Sequence, residues 1–287
     1  MKLMKWFGVI LLVLVLITVT LKSFEQVSAK DSQKTNSTSD TKSAKTVLSS
    51  NATAVTSSIN SVIADDPDGL STAVSIIDLN SNQDFEAGAT TTLFKAASTA
   101  KILAAIDYLH EVEEGQASLD QQIDGTAATQ LIQQMIEVSD DNAWADIDNY
   151  LGDQQQNYAN QLGLSSFTGG EYNTMTSSDM AKLLAMFYRG KLLDNTDQSL
   201  LLGYMANTTS TNLIQAVLPP TATVYHKYGQ LWGYLNDAAI VNYQGHQYAL
   251  VIFTNNQDGT TDEYNDQVNL IQQISRLVFQ DILDGQA

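Results

Sequence analysis

The sequence predicts an α+β domain: one antiparallel sheet flanked by helices, with a second lobe built of helices alone. Three observations carry that expectation. β-Branched apolar runs with turn signals stand near both ends of the domain. Between them, apolar residues recur at helical spacing. The last run is followed by an amphipathic stretch that closes the chain. Strands at the two ends, with helices between, fit a single sheet in which the ends meet.

The elements follow in order. Ser58–Ala64 reads as the start of a helix. Thr72–Leu79 is β-branched and apolar, and Asn80-Ser81-Asn82 is a turn signal, so a strand enters a hairpin there. Phe94–Val112 reads as one helix, with Ile102, Leu103, Ile106 and Leu109 on one face and Gly115 placed to stop it. Residues 126–137 and 142–151 read as short helices, and Ser178–Tyr188 as a better one that ends near Gly190. Gly163–Ser177 is a polar loop candidate. Val224–Tyr228, Tyr234–Tyr243 and Gln247–Thr254 read as three successive strands, punctuated by Gly233, Asn236-Asp237 and Gly245. Gln267–Leu283 is the closing helix. The expected sheet therefore has five strands, and a cleft between sheet and helical lobe is a good place for a site.

The first residues are of another kind. Lys2 and Lys5 flank an unbroken apolar run from Trp6 to Leu21. A helix of that length spans ~24 Å, short of the ~30 Å hydrocarbon core. Val27-Ser28-Ala29 supplies small residues for a cleavage site. Residues 1–29 thus read either as a signal peptide cleaved after Ala29 or as a retained anchor. Both place the remainder outside the cytoplasm, secreted or held at the cell surface, with the membrane touched only by this segment. Residues 30–58 are rich in Ser, Thr, Lys, Asn and Asp and poor in large apolar side chains, which reads as a disordered tether. The folded domain is expected over 59–287.

Charge narrows the partners. The chain has 14 basic and 32 acidic residues. Residues 64–287 hold seven of the basic and 29 of the acidic groups, a net of −22. Such a surface repels nucleic acid and anionic lipid. There is no cysteine, which excludes disulfides, thiol chemistry and Cys-ligated zinc. His110, His226 and His246 are scattered without H-E-x-x-H or paired spacing, so no metal is expected, nor any organic cofactor. A monomer is expected.

The residues that carry chemistry begin with Ser98-Thr99-Ala100-Lys101. On a helix, i and i+3 share a face, so the amine reaches the hydroxyl and takes its proton as it attacks a carbonyl. A helix starting near Ala97 adds its positive end to the developing oxyanion. Alone, S-x-x-K says little: Ser39-Asp-Thr-Lys42 repeats it in the tether. Context separates the two, since Phe94-Lys-Ala-Ala-Ser98 opens an apolar-periodic helix after a strand hairpin. A second element, Ser139-Asp140-Asp141-Asn142, follows the helix around Leu131–Val138. A third, Lys227-Tyr228-Gly229, lies on an expected strand and is followed by Gln230.

S-x-x-K, S-D-N and K-T-G in that order mark class A β-lactamases and penicillin-binding proteins. From about Thr72 to the C-terminus the chain resembles that superfamily. Ile77-Asp78-Leu79 resembles its first strand and turn. Gly115-Gln-Ala-Ser-Leu119 resembles the stretch after the nucleophile helix, Leu131–Ile136 the helix before S-D-N, and Gly233-x-x-Asn236-Asp237 the turn after K-T-G. The resemblance implies a β-lactamase/transpeptidase-like fold with a trimmed helical lobe. It also implies roles. Ser98 forms the acyl-enzyme and Lys101 is the base. Ser139 relays the proton to the leaving nitrogen. Lys227 lies near Ser139 and attracts the substrate carboxylate. The Ser98 and Gln230 backbone N–H groups form the oxyanion hole. Ser139 also suits a helix N-cap.

The pattern breaks in three places. Gapless matching puts Asp141 where the family has Asn, a carboxylate that accepts but cannot donate and that pairs with a neighbouring lysine. Asn142 serves only if the turn shifts by one. Tyr228 replaces a small hydroxyl residue. Class A enzymes activate the deacylating water with a glutamate in an E-x-x-L-N loop; here the stretch offers only Glu171, without the Leu-Asn pair. Glu171 reads more simply as a surface carboxylate, and His226 as a sheet residue.

The expectation is an extracytoplasmic serine hydrolase, acylated at Ser98 by a β-lactam or a D-Ala-D-Ala-type wall peptide. The rivals are a non-turnover penicillin or wall-peptide sensor, favoured by Asp141 and Tyr228, and a degenerate surface domain with no Ser98 adduct.

Overall fold

The computed structural model describes residues 53–170, 172–258 and 264–283. The expected signal or anchor segment, most of the tether and Glu171 lie outside them. The described chain opens in helix α1 (53–64), which begins inside the segment read as tether. Its Val55 and Ile59 are fully buried, so the fold starts before residue 59. Strands β1 (Ser71–Asp78) and β2 (Asp84–Gly88) form the expected hairpin.

Phe94–Lys95 is not helical. It forms a two-residue strand, β3, paired with β6 (Thr174–Met175). A 3₁₀ turn over Ala97–Ala100 follows, and helix α2 runs over Lys101–Glu113. A small hairpin, β4 (Gln122–Ile123) and β5 (Thr126–Ala127), precedes α3 (Ala128–Glu137), α4 (Asp141–Leu151) and α5 (Gln154–Gln161). After β6 come α6 (Ser177–Tyr188) and α7 (Asn195–Ala206). Strands β7 (Thr223–Leu231), β8 (Tyr234–Tyr243) and β9 (His246–Asn255) lead to α8 (Tyr264–Val278), which ends in a wider turn over Phe279–Leu283.

The five long strands form one antiparallel sheet in the order β2-β1-β9-β8-β7, the α+β architecture expected. Strand periodicity sorts its side chains between two cores. Val74, Ile76, Leu235, Ala239, Val241, Leu250 and Ile252 face α1 and α8. Ala73, Ala238, Ile240, Ala249, Val251 and Phe253 face α6 and the helical lobe. Helix α2 runs through that second core, buried from Lys101 to Leu109. Its start therefore lies where sheet and helical lobe meet. Among the described residues no helix is long and apolar enough to cross a membrane.

Candidate active site

The turn that carries Ser98 is held by two distant segments. The Ala96 N–H donates to Asn173 O (2.7 Å), and the Ala96 carbonyl accepts from Thr99 N (3.2 Å) and Thr99 Oγ1 (2.6 Å). Asn236, fully buried on β8, donates through Nδ2 to Lys95 O (2.9 Å) and Ala96 O (3.3 Å) and accepts from Thr254 N. Ala97 is then forced to φ +51°, a left-handed conformation that persists in a non-glycine residue only where its surroundings over-determine it. Asn236-Asp237 was expected to mark a turn. Both residues lie inside β8, and the turn falls on Trp232-Gly233, each at positive φ. Their side chains are satisfied by partners on other elements, which is why a local turn signal misplaces them.

Ser98 is half-buried and lines a cleft of ≈ 260 Å³ with Lys101, Asp141, Trp144, Tyr172, Asn173 and Gln230. Ser98 Oγ has no hydrogen-bond partner among the described residues. A larger hollow of ≈ 630 Å³ lies against α1 and β2, but no lysine or arginine is among its lining residues.

The Lys101 side chain is 3% exposed, and its amine gathers the second motif. It donates to Ser139 O (2.8 Å) and Asp141 Oδ1 (2.6 Å), with a long contact to Ser139 Oγ (3.5 Å). Burial pushes the Lys101 amine below the usual lysine range, against the opposing hydrogen bond and charge of Asp141 and the charge of Asp140. Asp141 itself is 85% exposed. Ser139 does not cap α4. It adopts φ +62°, and Asp140 caps instead, accepting from Asn142 N (2.8 Å) and Ala143 N (3.0 Å). Asn142 is exposed and is not among the residues lining the cleft.

The third motif approaches from the sheet. A Cβ built on Gly229 would lie 2.8 Å from Ser98 N, 2.9 Å from Ala96 O and 2.9 Å from Thr99 N. The absent side chain is what lets β7 meet the nucleophile turn backbone to backbone. Gln230, the next residue, lines the cleft. Tyr228 points to the other face and packs with the α8-side cluster, while its ring lies 4.5 Å from Lys227 Nζ. Lys227 is fully buried and donates to Tyr228 O (3.2 Å). The expected closeness to Ser139 is not realised as a hydrogen bond. His226 faces away from the cleft: its Nδ1 meets Asp237 Oδ1 at 3.0 Å and its Nε2 meets Gln215 Oε1 at 3.0 Å, a buried strut between β7, β8 and the turn over Ile214–Val217.

Burial pushes the Lys227 amine down to about 7, helped by the Lys101 charge and opposed by Asp237 and Asp141. The consequence for stability has a definite sign. Between pH 7 and the ordinary lysine value of 10.5 the unfolded chain holds a proton that the folded chain has released. Stability therefore rises with pH across that window and has lost this increment below it. Lys227→Met is expected to raise the melting temperature at pH 6.5, with the gain shrinking toward pH 9.5. Thermal melts at the two pH values check this, and a pH-independent gain would refute it.

Several site residues carry no motif signal. Trp144 and Asn173 line the cleft, and Trp144 Nε1 is buried without a hydrogen-bond partner among the described residues. Lys95 Nζ lies 4.5 Å from the Tyr172 ring, 4.9 Å from Trp232 and 5.6 Å from Tyr234, and this cation–π cluster ties the β7–β8 turn to the cleft edge. Repeated Tyr and Trp near expected turns were the one available hint.

The arrangement brings the Ser98 hydroxyl, the Lys101 amine and Gln230 to one cleft, with Ser139 held against the Lys101 amine. Comparison with known proteins places the chain in a family. Residues 54–282 match the Beta-lactamase enzyme family. PBP-A is similar in structure, with a TM-score of 0.74 at 24% identity over 81% of this chain and 97% of that one. A PBP-A mutant solved as an acyl-enzyme complex with penicillin G gives 0.74 at 23%, over 81% and 97%. A β-lactamase from Chitinophaga pinensis gives 0.71 at 22%, over 79% and 98%. No curated protein matches the chain in sequence.

Proposed function

The chain belongs to the Beta-lactamase enzyme family, and from that premise we propose that it is a serine acyl-transfer hydrolase acting on a β-lactam or a D-Ala-D-Ala-type wall peptide. The observation that carries this reading is the convergence of Ser98, Lys101, Asp141 and Gln230 on one cleft, with Ser139 held to the Lys101 amine. Ser98 Oγ attacks the carbonyl carbon while the neutral Lys101 amine takes the hydroxyl proton. The carbonyl oxygen gathers negative charge and is held by the Ser98 and Gln230 N–H groups. The C–N bond breaks, the leaving nitrogen takes a proton through the Ser139 hydroxyl, and an ester remains on Ser98. Water then cleaves that ester, releasing the acid and restoring the serine.

The slow step in this reading is release. Asp141 is the one carboxylate among the described residues lining the cleft, and it is engaged by Lys101. That engagement favours a second reading, a penicillin-binding sensor whose adduct persists. The basic-flanked apolar run Trp6–Leu21 and the polar tether support an extracytoplasmic domain in either case.

A time course of intact mass with penicillin G, on wild type and Ser98→Ala, tests the proposal. We expect a mass increase of one penicillin in the wild type and none in Ser98→Ala. Clearance of the adduct with product formation marks a β-lactamase, and persistence marks the sensor. Absence of any Ser98-dependent adduct would sink the penicillin-directed function.

A further inference from the structure

Building on the proposed acyl transfer at Ser98, we propose that Asp141 selects acyl donors that carry a protonated amine on the acyl side of the scissile bond. Asp141 lines the same cleft as Ser98, and its side chain is 85% exposed. Lys101 occupies only Oδ1. Among the described residues, Oδ2 accepts no hydrogen bond, so half of the carboxylate of this cleft-lining residue is unclaimed. An ionised carboxylate offers acceptors and no donor. A neutral acyl side chain that presents a carbonyl oxygen there finds no N–H to bind and meets a like-signed dipole. An ammonium finds a charge-assisted hydrogen bond.

Charge elsewhere points the same way. The surrounding domain carries a net charge of −22, which enriches cations near the cleft mouth. The fitting ligand is therefore one that is cationic before the scissile bond. An aminoacyl β-lactam has this pattern, as does a peptide whose acyl residue bears a free amine. Recognition also reaches the base. An ammonium on Oδ2 places a second positive charge beside Lys101 and weakens that lysine's hold on its own proton. The amine-bearing donor thereby promotes the neutral Lys101 that acylation requires.

Two penicillins that differ by one amine isolate the effect: benzylpenicillin and its α-amino derivative, aminobenzylpenicillin. Acylation of the full-length protein would be followed by intact mass at pH 6.5, where the α-amine is largely protonated. The wild type should be acylated about tenfold faster by the amino compound, the worth of one solvent-screened charge-assisted hydrogen bond. In Asp141→Asn the ratio should fall to near one. Any change that the variant makes to Lys101 itself acts on both penicillins and cancels in the ratio. Equal rates in the wild type, or a ratio unchanged in Asp141→Asn, would overturn the selection by Asp141 while leaving Ser98 acylation intact. An absence of adduct with both compounds would instead overturn the proposed function on which it rests.

Discussion

Gly229→Ala is expected to lower the rate of Ser98 acylation by about 10²-fold or more, the usual consequence of spoiling an oxyanion donor. The reason is geometric. The three nearest atoms to the added Cβ, at 2.8–2.9 Å, are all backbone: Ser98 N, Ala96 O and Thr99 N. No side chain can swing aside, so β7 or the nucleophile turn must move. The turn has little freedom, because Asn173 and Asn236 already hold Ala96 from two directions. Overpacking of this kind also costs about 1–3 kcal/mol of stability. Paired measurements of acylation rate and thermal melting check both parts. A variant acylated at the wild-type rate would show that the proposed Ser98–Gln230 cradle is not where the oxyanion forms.

Lys101→Met is the second large effect, and its two readouts should part company. Acylation is expected to fall by about 10²–10⁴-fold through loss of the general base. Stability should hardly change. The amine is buried at 3% exposure, so removing it relieves a desolvation cost. Its partner Asp141 is 85% exposed and remains hydrated when left alone. Against this stands the lost bond to Ser139 O, at 2.8 Å. With these terms opposed, the melting temperature should shift by no more than about 4 °C, the equivalent of ~1 kcal/mol in a domain of this size. A much larger drop would show that the amine is a structural pillar for the left-handed Ser139, and a small rate effect would remove Lys101 from the base role.

The sheet and the nearness of Ser98 to Lys101 were readable because both are local patterns. Tyr234–Tyr243 alternates faces within one strand, and Ser98 and Lys101 are three residues apart, so neither needed knowledge of a partner. What failed to show depends on distant partners. Phe94–Lys95 continues no helix because Thr174–Met175 pairs with it as strand. Asn236-Asp237 carries a turn composition, yet Lys95, Ala96, His226 and Ile214 satisfy its side chains inside a strand. Helix α5, Gln154–Gln161, is polar almost throughout, and α7 lacks a clear apolar stripe, so periodicity gave neither away. The capping role went to Asp140 because Ser139 was drawn into a left-handed conformation. The rim of Lys95, Tyr172, Trp232 and Tyr234 is assembled from three separate stretches of chain and leaves no linear motif.

The pairing of β1 with β9 also bears on how the protein is made. Ser71 lies opposite Asn255 and Asp78 opposite Tyr248, a loop of roughly 180 residues that must close before either strand is complete. During synthesis the apolar residues Ala73, Val74 and Ile76, on the two faces of β1, leave the ribosome long before the neighbouring strand exists. Only α1 and the short β2, both near in sequence, can cover them at first. The nascent chain thus carries a half-paired hairpin through most of translation, a window in which misregistered strands compete. Gly229 and Asn236 reach the Ser98 turn only as parts of the sheet, so the cleft cannot exist until both ends of the domain have been joined.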